Sequence, residues 1–154
     1  MQNNLANTYN ALGQSEKGLR LKRDVYSARL RLNGQDHLYT ITAANNCANA
    51  LNHLRLFREA KDLLRKNIPV VRRVMGDNDA LTLKMRWHYG KALYRDDGAT
   101  LDDLREAVTA LEDTERTARR VLGGAHPLTT ILEGDMRLMR LTLRARETPS
   151  PESS

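Results

Sequence analysis

Lys84, Trp87, Lys91 and Arg95 follow one another at spacings of three and four residues. In a helix that spacing puts all four side chains on one face. Two ammonium groups and a guanidinium in a row can hold carboxylates or phosphates, and a tryptophan among them can bury an apolar anchor. The chemistry is recognition of a ligand with acidic and apolar residues. Trp87 can equally pack inward while the cations are merely solvated, and spacing alone allows both arrangements. Asn45, Asn49 and Asn52, with His53 beside them, form a second set, and Asn3 and Asn7 a third. An asparagine amide carries donors and an acceptor, so such a row can pair with the main chain of an extended peptide.

Residue types that support catalysis are present, but they are not arranged for it. His37, His53, His88, His126 and the single cysteine, Cys47, lack metal-ligand spacing. Cys47 lies between Asn46 and Ala48 with no local basic partner, so a buried, inert thiol is expected. Asp96, Asp97, Asp102 and Asp103 flank a turn but lack the spaced ligands of a calcium loop. The glycines are scattered and form no phosphate-cradling loop. The chain is therefore expected to be no enzyme and to use no metal or cofactor.

The elements that position these residues are set by a repeat. LNGQDHLYT at 32–40, VMGDNDALT at 74–82 and VLGGAHPLT at 121–129 are versions of one junction, with Gly34 and Gly76 42 residues apart and Gly76 and Gly123 47 apart. A period of this size means similar units stacked on one another. In each junction the glycine ends one helix, and His37, Asp79 or His126 stands where the next helix is capped. Pro127 suits a first helical position, where no N–H partner is lost. The pattern predicts first helices at about 2–12, 38–53, 80–95 and 127–146, and second helices at about 15–32, 57–75 and 101–122. Short turns are expected at Gly13-Gln14 and Arg55-Leu56. RDDGAT at 95–100 holds five extra residues, and Thr100 with Asp103 can cap the helix that follows. Pro69 should kink or thin its helix.

The expected fold is thus an all-α, right-handed α-solenoid of seven helices in about three and a half antiparallel hairpins. The hairpins fall at about 2–33, 37–75 and 79–122, the final helix at 127–146, with one domain over 1–147 and a disordered tail over 148–154. Aromatics at 5% and only four prolines favour helices over a sandwich or barrel. No apolar run approaches a membrane span, the N-terminus does not read as a signal peptide, and a lone cysteine forms no internal disulfide, which fits a cytoplasmic setting. The first hairpin is short and leaves Leu5, Ala6, Tyr9 and Leu12 with an uncovered face. That is expected of a piece of a longer array, or of a surface used in self-association.

Small residues recur at Ala6, Ala48 and Gly90, and again twelve residues on at Gly18 and Ala60, where helices can approach closely. A helical hairpin with this spacing resembles the tetratricopeptide repeat. The long period and the junction VLGGAHPLT resemble its kinesin-light-chain type, over about residues 2–145. NLAN at 4–7 and NCAN at 46–49 match that type's asparagine–leucine–alanine stretch, whereas HYGK at 88–91 departs from it, and the motor-binding heptad coiled coil is absent. The resemblance implies a repeat domain that binds an extended peptide on the concave surface of its first helices. It places Asn45, Asn49, Asn52, Lys84, Trp87, Lys91 and Arg95 on that surface, facing a ligand that is acidic with an apolar anchor.

Charge keeps a rival class open. The net charge is +6, and residues 1–75 carry 13 Lys and Arg against 5 Asp and Glu. Lys17, Arg20, Lys22, Arg23, Arg29 and Arg31 crowd one helix over 17–31, which could lie along nucleic-acid phosphates or an anionic surface. Few aromatics are available for base stacking. A structural spacer within a longer array is the third reading.

Overall fold

The computed structural model describes residues 2–148, with side chains from residue 11. Its helices are α1 (Gln2–Asn33), α2 (Leu38–His53), α3 (Phe57–Met75), α4 (Ala80–Arg95), α5 (Leu101–Leu122) and α6 (Pro127–Glu147). The expected tail lies, from residue 149, outside the described residues.

The junctions work as their residue types dictate. Nδ1 of His37 accepts the Tyr39 N–H, Asp79 Oδ1 accepts that of Leu81, and His126 Nδ1 accepts that of Leu128. These side chains satisfy backbone donors that the first turn of a helix leaves unpaired. Gly34, Gly76 and Gly123 have φ of 82°, 89° and 93°. At Gly76 and Gly123 ψ is 164° and 157°, so both lie in an extended, positive-φ region essentially closed to other residues, not in the left-handed helical one. Behind the cap, the Thr82 hydroxyl donates to the Gly76 carbonyl at 2.7 Å and that of Thr40 to the Arg29 carbonyl at 3.1 Å. Each threonine thus ties a new helix to the end region of the one before.

The inserted turn is equally specified. Asp96 Oδ1 accepts the Gly98 N–H at 3.0 Å, and Asp96 pairs with Lys61 at 3.4 Å. Thr100 and Asp103 form a reciprocal capping box at the start of α5. The acids of this segment shape a turn and a helix end. Pro69 is exposed, and α3 runs on through it.

The first hairpin does not form. Residues expected as two helices joined at Gly13-Gln14 make one continuous α1, so the helices among the described residues number six and not seven. The reason lies in the repeat register. Leu64 and Val71 of α3 are fully buried, and 42 residues earlier stand Lys22 and Arg29. A short helix folded back on α1 would cover Lys22, a cation without a carboxylate partner, where the later unit has an apolar side chain, and burying that charge is costly. α1 consequently leaves Leu21, Val25 and Leu32 exposed. Of the face expected to serve self-association, Leu5, Ala6 and Tyr9 lie outside the described side chains and Leu12 is exposed.

From α1 to α6 each helix packs on the next, and in addition α2 touches α4 and α4 touches α6. The backbones of α1 and α3, and of α3 and α5, stay apart, spanned by long side chains such as Arg23–Glu59 at 2.5 Å and Arg65–Glu106 at 3.9 Å. Close contact along one edge and separation along the other curve the stack, with α2, α4 and α6 lining the inner side. The core runs between the layers: Ile41, Ala48, Leu64 and Met85 lie in one cluster, Leu83, Leu93, Leu104, Leu111, Leu132 and Met139 in another.

Candidate partner-binding surface

On α4 the expected face is real, but its members differ in depth. Lys84 and Arg95 are exposed, and Lys91 and Trp87 are half-buried. Trp87 packs against the core cluster, while its indole N–H donates to Asp135 Oδ2 of α6 at 2.6 Å. The Lys91 ammonium sits 4.3 Å from the Trp87 ring centroid, and the His88 ring stacks on that of Trp87 at 4.8 Å. The tryptophan is therefore neither wholly core nor a free anchor; its polar edge and its flanks are already engaged.

Electrostatics follow from this packing. Burial lowers the Lys91 pKa, and neighbouring Arg95 lowers it further, while Asp135 acts in the opposite sense. His88 is buried, its Nδ1 has no partner among the described residues, and its pKa is pushed down to about 4 by burial first and then by Lys91 and Lys84. It is a neutral imidazole near pH 7. Lys84, Lys91 and Arg95 have no carboxylate within 4.0 Å among the described residues. Three cations without a carboxylate thus share the inner face of α4; Lys17, Arg20, Lys22, Arg29 and Arg31 of α1 are likewise without one among the described residues.

The asparagines of α2 separate. Asn52 is buried and its amide donates to the His88 carbonyl at 3.0 Å, which binds α2 to α4. Asn45 is also buried, whereas Asn49 is exposed. Asn49 and His53 line a depression of about 420 Å³ whose far wall is Gln14, Ser15 and Gly18 of α1. Asn3 and Asn7 lie outside the described side chains.

Three residues of this surface are not singled out by spacing within one helix. Asp135 holds both Trp87 and the Tyr94 hydroxyl, at 3.2 Å for the latter. Ile131 and Leu138 are exposed aliphatics four residues before and three after Asp135, hence on its face of α6. The repeat register could have found them, because Ile131, Asp135 and Leu138 stand 47 residues after Lys84, His88 and Lys91, the spacing of Gly76 and Gly123. The Trp87–Asp135 bond joins the cationic face of α4 to the apolar face of α6. Cys47 is buried, and burial pushes its thiol pKa up, away from reactivity.

Helical hairpins stacked into a curved solenoid, with an open inner face and caps at each junction, define a class of repeat proteins. A family model described as Tetratricopeptide repeat matches residues 1–39 and 40–80, just over half of the chain, and the chain belongs to that family. Repeats of this family mediate protein–protein interaction and are typically non-catalytic. No curated protein matches the sequence. Among the described residues, no helix is long and apolar enough to cross a membrane.

Proposed function

We propose that the inner face of α4 and α6 binds an extended peptide segment of a protein partner, acidic and carrying an apolar residue. The observation that carries this reading is the row of Lys84, Lys91 and Arg95 without carboxylate partners. Carboxylates of a ligand would meet that row through charge-assisted hydrogen bonds. The apolar residue would lie on Ile131 and Leu138, with the edge of Trp87 beside them, and Asn49 would supply a main-chain contact. Asn52 would hold α2 against α4 through its bond to the His88 carbonyl, and Asn45 is buried beside it. We read the repeats as kinesin-light-chain-like on their junction VLGGAHPLT, and the chain as a cytoplasmic interaction module that uses no cofactor.

The rival reading places nucleic acid on α1, where Lys17, Arg20, Lys22 and Arg31 are exposed. Affinity capture from cell extract, with and without nuclease, separates the two. Wild type is compared with Lys91→Glu/Arg95→Glu and with Lys17→Glu/Arg20→Glu. Proteins lost with the first variant and insensitive to nuclease support the groove. Proteins lost on nuclease treatment and with the second variant transfer the function to α1. A chain that retains nothing is a spacer.

A further inference from the structure

The outer side of α6 carries a second charged face. Arg137, Arg140, Leu141 and Arg144 stand three, four and seven residues along, on one side of the helix, around a depression of about 340 Å³. Arg140 pairs with Glu112 at 3.0 Å, but Arg137 and Arg144 have no carboxylate within 4.0 Å among the described residues. We propose that this face docks an acidic amphipathic helix of a partner protein.

The repeat register says why a helix. Arg137 and Arg140 stand 47 residues after Gly90 and Leu93, the positions at which α4 receives α5. A Cβ on Gly90 would come within 2.5 Å of Leu111 Cγ, and Leu93 is fully buried in the same cluster. The outer face of α6 therefore has the place in the unit of a helix-receiving surface. It bears two guanidinium groups where α4 bears bare backbone and an aliphatic side chain. An apolar helix laid there would bury unpaired charge, which is costly; an acidic helix would supply bidentate partners. Leu141 remains exposed among these arginines and offers the apolar contact an amphipathic helix needs.

Other occupants fit less well. No aromatic stands among these residues to stack a base, and aliphatics beside the guanidinium groups gain nothing from phosphates. A second copy stacking its α1 here would bring Lys17, Arg20, Lys22, Arg29 and Arg31 against the arginines, like charge on like.

The probe is a fluorescein-labelled, lactam-stapled helical peptide with glutamates at three- and four-residue spacing and leucines along one edge. Its anisotropy is followed on titration with the full chain. Binding is expected to wild type, with loss of about tenfold or more in Arg137→Glu/Arg144→Glu and a smaller loss in Arg137→Gln/Arg144→Gln. The inner-face variant Lys84→Glu/Lys91→Glu should bind as wild type does, which keeps this surface apart from the groove. A peptide that does not bind wild type, or that binds all variants alike, overturns the proposal. So does a duplex RNA that is held through these arginines while the peptide is not.

Discussion

Trp87 of α4 donates its indole N–H to Asp135 of α6 at 2.6 Å, across a separation of 48 residues in sequence. The carboxylate is buried, and its other oxygen accepts the Tyr94 hydroxyl. Removing the acceptor orphans two donors at the seam. Asp135→Leu should lower unfolding stability by about 1–3 kcal/mol for each group left unpaired. Asp135→Asn, which retains an acceptor for the indole, should cost less. Urea titration followed by circular dichroism measures both, and equal losses would deny the bond its role.

His88 predicts a pH dependence. Its folded pKa of about 4 lies below the ordinary value of 6.5, so between these values the unfolded chain binds the extra proton. Stability therefore falls as pH drops through this window and levels off below it. The contribution is about 2 kcal/mol lost between pH 7 and pH 5. His88→Gln should flatten that part of the profile. A profile unchanged by the substitution would show that burial does not hold the imidazole neutral.

The glycines divide into those that need a positive φ and those that do not. Gly76→Ala and Gly123→Ala should each cost about 1–3 kcal/mol, because alanine does not tolerate that backbone region. Gly13 is helical, with nothing within 4 Å of an added Cβ. Gly13→Ala should therefore stabilise the chain by about 0.5–1 kcal/mol. Destabilisation at Gly13 would mean that the chain turns there.

Gly90 tests close packing. Its added methyl would meet three carbons of the Leu111 side chain within 3.0 Å. Gly90→Ala should cost about 1–3 kcal/mol through overpacking, and pairing it with Leu111→Ala should recover part of the loss. A thermal melt of the single and double variants reads this directly.

Most of the fold can be read from the chain because its signals are local. The glycine and the His or Asp that follows it mark each helix end, and apolar residues at three- and four-residue spacing mark what lies between. Those signals place α2 to α5 over their observed spans. α1 escapes them because its straightness depends on what a folded-back segment would have to cover. Lys22 and Arg29 occupy the register of Leu64 and Val71, a signal visible only when units are compared. The inner face shows the same limit. Periodicity puts Lys84, Trp87, Lys91 and Arg95 on one side of a helix but says nothing of depth. Trp87 is half-buried because it packs on the core cluster while its indole N–H meets Asp135 of another helix. Asn52 turns into the seam because a main-chain carbonyl of α4 awaits it.

The most direct measurement of the central claim uses the single tryptophan. An NMR titration follows the Trp87 indole N–H and the assigned amides as a glutamate-rich peptide with one leucine is added. Binding on the inner face should shift the indole signal together with amides around Lys84, Lys91, Ile131 and Leu138, and Lys84→Glu/Lys91→Glu should abolish those shifts. Shifts confined to α1, or a bound peptide that leaves the indole and these amides unmoved, would contradict the account.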